Sequence, residues 1–395
     1  MHLTIVSPFP PSITGIGQYG YHVTRALAHS GMFSRLTVLA GSRVCGTSPN
    51  HLGLTEVEYC WEPSQLNARQ AVMSRVRRLR PDLVWFNLGA SVFGRSPLIN
   101  LSGLLTPMLV RQMGIPTVVT LHEVMELADL RALDAPGGAL APWGARLLTR
   151  VVTQSDLVVV TLQRFADWFS ARRIDCARIP IGAYHTPEFL PESDSQELLF
   201  FTTLAPFKGL ELLLHVFHSL REEFPKLKLT VAGTEHIRFP EYTRELKSRF
   251  AGTDGVQWLG QVDEDNVMEL FRRAQVVVLP YAASTGSSSV LYQAATWGRA
   301  VVASNLEETR ALARENNLCV EFFENGNAAS LRETVRSLLY SDAKRRAQAE
   351  HNFASIQHIR PEETCLRYAE AFNRALAKGR NAKRISLPRM ELSQP

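Results

Sequence analysis

The sequence predicts an α/β protein built from two parallel-sheet domains. Short apolar runs alternate with segments of helical period from end to end, as expected where each strand is followed by a crossover helix. The alternation is interrupted once, at the Pro-, Ser- and acid-rich stretch "RIPIGAYHTPEFLPESDSQ" (178–196), and then restarts. A length of 395 residues, too great for one ordinary core, agrees with more than one domain.

In the first half the strands are "LTIVS" (3–7), "LTVLAG" (36–41), "DLVWFNL" (82–88), "PTVVTLH" (116–122) and "DLVVVT" (156–161). Between the third and fourth lies a weakly polar run, Pro97 to Val110. It is broken by Asn100, Ser102 and Thr106 and is shorter than the roughly 20 residues of a membrane span. A helix around Arg69 to Leu79 sets Val72, Val76 and Leu79 on one face with Arg75 and Arg78 off it. Such a basic helix either packs on the sheet with a solvated polar face or touches phospholipid headgroups. The second half repeats the pattern with "LLFFTTL" (198–204), "LKLTVAG" (227–233), "VQWLG" (256–260), "VVVLPY" (276–281) and "AVVAS" (300–304). A last helix, "EETCLRYAEAFNRALAKG", precedes a polar, basic end expected to be poorly ordered. The predicted division is 1–185 and 186–365 for the two domains, and 366–395 for a C-terminal helix, with the option of crossing back, and a basic tail.

Five scattered cysteines, Cys45, Cys60, Cys176, Cys319 and Cys365, form no C-x-x-C pair, and the start "MHLTIV" carries no signal-like segment. Both features predict a cytoplasmic protein. The net charge of +5 is uneven. Residues 1–185 hold 17 arginines, no lysine and 11 acids, whereas residues 186–373 hold 20 bases and 26 acids. A basic first half suits an anionic partner, and peripheral contact with the inner face of a membrane is the expectation drawn from it; nothing suggests nucleic acid.

Gly15, Gly17 and Gly20 in "TGIGQYG" are spaced as G-x-G-x-x-G, the dinucleotide fingerprint. That fingerprint needs a tight turn directly after the first strand and an acid about 20 residues later. Here "PFPPSIT" separates Ser7 from Gly15, and no Asp or Glu occurs before Glu56, so a nicotinamide dinucleotide is not expected. The loop reads instead as a Pro-braced approach to a helix N-terminus able to hold an anion or a hydroxyl.

The order of "RPDLVWFN", "TLHE", "IPIG", "LAPFKGLELLLHVF", "VAG", "VQWLGQVDEDNVMELFRRAQVVVLPY" and "TGSSSVLYQAATWGRAVVAS" resembles retaining glycosyltransferases of family 4 over roughly residues 3–340. The resemblance implies the GT-B fold, two Rossmann-like domains facing across a cleft, with the acceptor on the N-terminal side and the nucleotide-sugar in the C-terminal domain. It implies a retaining hexosyltransferase that uses a UDP- or GDP-type sugar donor and a hydroxyl acceptor, with a lipid-linked or polysaccharide intermediate fitting the basic first half. A nucleotide-sugar epimerase and a non-catalytic GT-B partner subunit are the alternatives.

Residue by residue, the loop Thr285, Gly286, Ser287, Ser288 and Ser289 before a helix starting near Val290 predicts a diphosphate cradle. Lys208 matches the lysine that pairs with the donor phosphates. His122 matches the histidine that contacts the donor sugar, and Glu123 beside it is expected to accept a proton or bind acceptor hydroxyls. Gly15, Gly17 and Gln18 are expected to form the acceptor-side lip near the reacting sugar and its phosphates, with Gly17 also counted among the donor-phosphate residues. Thr285 and Gln293 stand where the family has Glu-x7-Glu, and Thr203 stands where it commonly has an arginine; an amide at 293 retains an oxygen for a ribose hydroxyl. Asp263 to Asp265 read as a helix start rather than a metal site. No metal and no cofactor are expected, since the nucleotide-sugar is a substrate.

Overall fold

A computed structural model describes residues 1–11, 14–41, 55–378 and 384–385, and residues 46–52 as backbone. By contact density the chain forms two units: Met1–Glu126, Pro136–Pro180 and Pro361–Pro395 make the first, Leu127–Ala135 and Ile181–Arg360 the second.

The first unit holds one sheet. Its strands are β1 (His2–Val6), β2 (Arg35–Gly41), β3 (Gly46–Leu52), β4 (Thr55–Trp61), β5 (Leu83–Leu88), β6 (Thr117–Leu121), β7 (Leu157–Val160) and β8 (Cys176–Arg178). Their order is β3-β4-β2-β1-β5-β6-β7-β8, parallel throughout except for β3 against β4. The helices are α1 (Gly15–His29), α2 (Ala68–Leu79), α3 (Pro97–Leu104), α4 (Thr106–Gln112), α5 (Ala141–Val152) and α6 (Gln163–Ser170). Strand β5 is buried from end to end, as a central parallel strand covered on both faces must be.

The second unit holds β9 (Glu197–Phe201), β10 (Lys228–Ala232), β11 (Val256–Gly260), β12 (Val276–Leu279), β13 (Ala300–Ser304) and β14 (Glu321–Phe323), all parallel in the order β11-β10-β9-β12-β13-β14. Around it lie α7 (Leu210–Arg221), α8 (Tyr242–Arg249), α9 (Glu264–Arg273), α10 (Ser289–Thr296), α11 (Glu307–Glu315), α12 (Ala328–Tyr340) and α13 (Asp342–Ile356). One core joins Leu198 and Phe200 of β9, Leu213 and Phe217 of α7, Val276 and Val278 of β12, and Leu331 and Val335 of α12. The buried Arg299 ties the segment before β9 to this core by donating to the carbonyls of Leu190, Pro191 and Phe271.

The last helix, α14 (Pro361–Lys378), belongs to the first unit. Its Tyr368 hydroxyl shares hydrogen bonds with Tyr19 (2.7 Å) and Thr120 (2.8 Å), and its Tyr368 and Phe372 rings pack on Trp85. Arg374 and Lys378 pair with Asp175.

All ten strands expected from apolar runs are present, within a few residues at their ends. Four more escaped the sequence reading. Strands β8 and β14 are three-residue edges, too short to show a period. Strand β4 alternates Glu56 and Glu58 with Val57 and Tyr59, and β3 joins it as the antiparallel edge. Arg75 and Arg78 of the basic helix α2 bind Glu58, and Val72 and Val76 are buried. Helix α2 therefore packs on the sheet. Asp263 occupies the N-cap of α9 with two acids behind it, as expected, but its side chain makes no capping bond. Cys45 and the basic end beyond Lys378, apart from residues 384–385, lie outside the described residues.

Candidate functional site

In doubly wound sheets ligands bind beyond the carboxyl ends of the strands, where the strand order reverses. In the second unit that reversal falls between β9 and β12. The chain leaving β9 carries Thr203 and Lys208; the chain leaving β12 carries Ser284 to Ser289. Topology thus brings together two loops separated by some 80 residues of sequence.

Local bonds fix them to each other. Residues Pro206–Lys208 form a 3-10 turn, and Gly209 follows at φ +70° as the N-cap of α7. The Phe207 carbonyl accepts from Ala282 N–H (2.9 Å), and a Cβ on Gly209 would stand 1.8 Å from the Pro280 carbonyl oxygen. Only glycine allows that approach. The Lys208 Nζ then lies 3.9 Å from the centre of the Tyr281 ring, a cation–π contact that orients the ammonium. The buried Tyr281 hydroxyl lies near the side chains of Thr202 and Ser288.

Ser288 is the N-cap of α10, yet its side chain makes no capping bond. A serine-rich cap alone therefore does not account for this loop. Ser289 lies near the buried Tyr184 hydroxyl, and Ser284 Oγ donates to the Gly286 carbonyl (3.1 Å). One turn further along α10, Gln293 is 2% exposed, and neither Nε2 nor Oε1 has a hydrogen-bond partner among the described residues. A buried amide with both ends unpaired costs the fold free energy unless a water or a ligand pairs with it.

Beside the same loops, His236 Nδ1 accepts from Arg238 N–H (3.2 Å), and burial, with Arg238 and Lys208 nearby, pushes its pKa down to about 4. A neutral imidazole therefore stands next to the lysine at pH 7.

The first unit has its own constellation where its strand order reverses, between β1 and β5. Thr14 caps α1, its hydroxyl accepting from Gly17 N–H (3.0 Å), so that donor is already engaged; Gln18 is buried in the first turn. Around Gly15 a Cβ would meet nothing within 4 Å, whereas on Gly20 it would stand 2.2 Å from Ser7 Oγ and 2.8 Å from Asn87 Nδ2. The third glycine thus serves close helix–strand packing. Asn87 donates to Ser7 Oγ (2.8 Å) and to the Ile16 carbonyl (2.9 Å), leaving Oδ1 to meet His122 Nε2 at 2.6 Å. The proton is thereby assigned to Nε2, and Nδ1 is left as an acceptor. Desolvation holds His122 at a pKa of about 4, and the Tyr19 ring stands edge-on to it at 4.8 Å. Glu123 accepts from Ala90 N–H and so steadies the turn after β5.

Two family profiles match the chain: Glycosyl transferases group 1 over residues 195–341 and Glycosyl transferase 4-like domain over residues 14–182. The chain belongs to the group 1 glycosyl transferases. A phosphatidyl-myo-inositol mannosyltransferase of Mycobacterium leprae is 27% identical over 238 residues, which span 58% of this chain and 59% of that protein's length. Among solved structures, sucrose-phosphate synthase from Thermosynechococcus elongatus superposes with a TM-score of 0.74 at 14% identity, covering 95% of this chain and 99% of that one. HepE of Anabaena in complex with UDP-glucose gives 0.71 at 14% identity, covering 94% and 98%. These likenesses are to the GT-B fold.

Within this group 1 chain, Lys208, Thr203, Ser284–Ser289 and Gln293 gather in the second unit, and His122, Glu123, Gly15, Gly17 and Gln18 in the first. Sequence reasoning missed Tyr281, which stacks under Lys208, and Asn87, which sets the His122 tautomer. Both sit at carboxyl ends of central strands, in "VVVLPY" and "DLVWFNL", and that position was the available signal.

Proposed function

We propose that the protein is a retaining, metal-independent hexosyltransferase. Its donor is a UDP- or GDP-type nucleotide-sugar held by the second unit, and its acceptor is a hydroxyl on a lipid-linked or glycan intermediate. The observation that carries this reading is Lys208, seated on Tyr281 beside a serine-rich helix start whose cap is unfilled. As the glycosidic bond breaks, charge grows on the departing diphosphate; a fixed ammonium and backbone N–H groups aimed there lower the barrier without a metal ion. Gln293 offers the ribose an amide that the protein itself leaves unpaired. In front-face attack the leaving phosphate oxygen takes the acceptor's proton, and the configuration at the sugar is kept with no protein nucleophile. His122, neutral and with Nδ1 as acceptor, is suited to a sugar hydroxyl and not to a negative charge. The mannosyltransferase relative, named for phosphatidyl-myo-inositol, supports an acceptor carried on lipid.

A thermal-shift panel of UDP, GDP, ADP and their sugars tests the donor. Ligand at 100 times its dissociation constant adds about 2.7 kcal/mol. No shift with any of them defeats the enzyme reading, and donor conversion without acceptor indicates an epimerase. Lys208→Ala is expected to lower transfer by roughly 100- to 1,000-fold, and transfer by the parent protein is expected to survive a chelating buffer. Near-normal rates in the variant contradict the assignment.

A further inference from the structure

Most of the exposed large apolar side chains lie in the first unit, and three of them are concentrated on one part of it. Leu98 is 73% exposed on α3, Leu140 72% just before α5, and Trp143 66% in the first turn of α5. Helices α3 and α5 pack against each other, and α4 packs against both. The run Pro136–Gly144, "PGGALAPWG", holds no charged side chain, and all of it but Ala141 is exposed.

The charges nearby are of one sign. Residues 89–116 and 135–155, which contain all three helices, hold Arg95, Arg111, Arg146 and Arg150 and no acid. Arg111 is paired with Asp156, but Arg95, Arg146 and Arg150 make no ion pair among the described residues. Trp143, Arg146 and Arg150 are spaced i, i+3, i+7, so one exposed helical face carries an aromatic ring followed by two cations. By contrast, α2 spends Arg75 and Arg78 on Glu58.

We infer that the α3–α5 face, led by Leu140 and Trp143, is a docking surface for an anionic phospholipid bilayer. A tryptophan and leucines insert at the level of the headgroups, while arginines beside them meet lipid phosphates. An exposed apolar strip on a protein partner would be matched by apolar area alone; unpaired arginines with no acid among them select a negatively charged surface. This surface adds the approach route to the proposed use of a lipid-linked acceptor but does not depend on the donor site.

The test is co-sedimentation of the full chain with vesicles of phosphatidylcholine alone or mixed with phosphatidylglycerol. The parent protein is expected to bind the mixed vesicles at least about tenfold more strongly, with binding falling as salt rises. The double variant Leu140→Ala/Trp143→Ala should lose roughly tenfold or more of that partitioning, and Arg146→Glu/Arg150→Glu should lose the preference for anionic lipid. All four side chains are exposed or half-exposed, so unchanged circular dichroism is expected to show that the variants fold. If the parent protein ignores anionic vesicles, or both variants bind as it does, the inference fails. It also fails if Leu140→Ala/Trp143→Ala changes the oligomeric state by light scattering and not the partitioning, since the strip would then join protein copies. Nucleotide-induced thermal shifts report on the second unit and vesicle binding on the first, so either reading can fall without the other.

Discussion

At Gln293 a buried amide leaves both its donor and its acceptor unpaired, which costs the fold about 1–3 kcal/mol. If that cost is held for the nucleotide's ribose, Gln293→Leu should weaken nucleotide binding at least tenfold while leaving the unliganded protein as stable or more so. Isothermal titration and thermal melts read the two effects separately, and a variant that loses stability but keeps affinity would assign the amide a structural role. His122 and His236 carry a second prediction. Both have folded pKa values near 4 against about 6.5 unfolded, so between those limits the unfolded chain binds more protons. Stability is therefore full at neutral pH and falls as pH drops from about 6.5 towards 4, by an amount on the order of 2–3 kcal/mol for each ring. His122→Gln should flatten that slope for the first unit. A melting temperature that does not change across this window would show that the rings are not buried as neutral groups.

The turn from β9 to α7 shows how an element positions chemistry. Gly209 combines φ +70° with a Cβ position 1.8 Å from the Pro280 carbonyl, so an added methyl group displaces either the lysine turn or the β12 loop. Gly209→Ala should cost roughly 2–5 kcal/mol in denaturant unfolding of the second unit and weaken nucleotide binding with it. Gly15→Ala, where nothing lies within 4 Å, should stay within about 0.5 kcal/mol and serves as the control. Stability in Gly209→Ala equal to the parent would mean that the loops move apart without cost. The same element shows what could be read in advance. Central strands such as β5 and β12 are almost wholly apolar runs, and the loops that follow them were legible as candidate sites because parallel sheets bind ligands there. Tyr281 looked like the end of a strand and Asn87 like its interior, because their roles depend on Lys208 and His122, which arrive from elsewhere in the chain. The α2 helix looked basic until Glu58, on a strand hidden by its own charges, supplied the partner. Three-residue edge strands and long-range pairings leave no periodic trace.

Across the whole chain the two units carry different chemistry. Residues 1–185 hold no lysine and a surplus of arginine, while residues 186–373, with more acids than bases, keep Lys208 beside the serine loop. Under the proposed function, acidic surroundings do not attract a diphosphate, so its hold would depend on local donors and the first unit would be left to the acceptor. This division predicts separable defects. Gly17 is buried in the first turn of α1 with its N–H already bound to Thr14, so it has no backbone donor left to offer. A leucine there adds a side chain to a turn followed one step later by Gly20, which packs on Ser7 and Asn87, the residue that orients His122. Gly17→Leu should therefore lower kcat at least tenfold while leaving the nucleotide Kd within about twofold, a split expected when transition-state contacts are lost and ground-state binding is kept. Equal loss of both would place Gly17 in the donor's own site and remove the division of labour between the units.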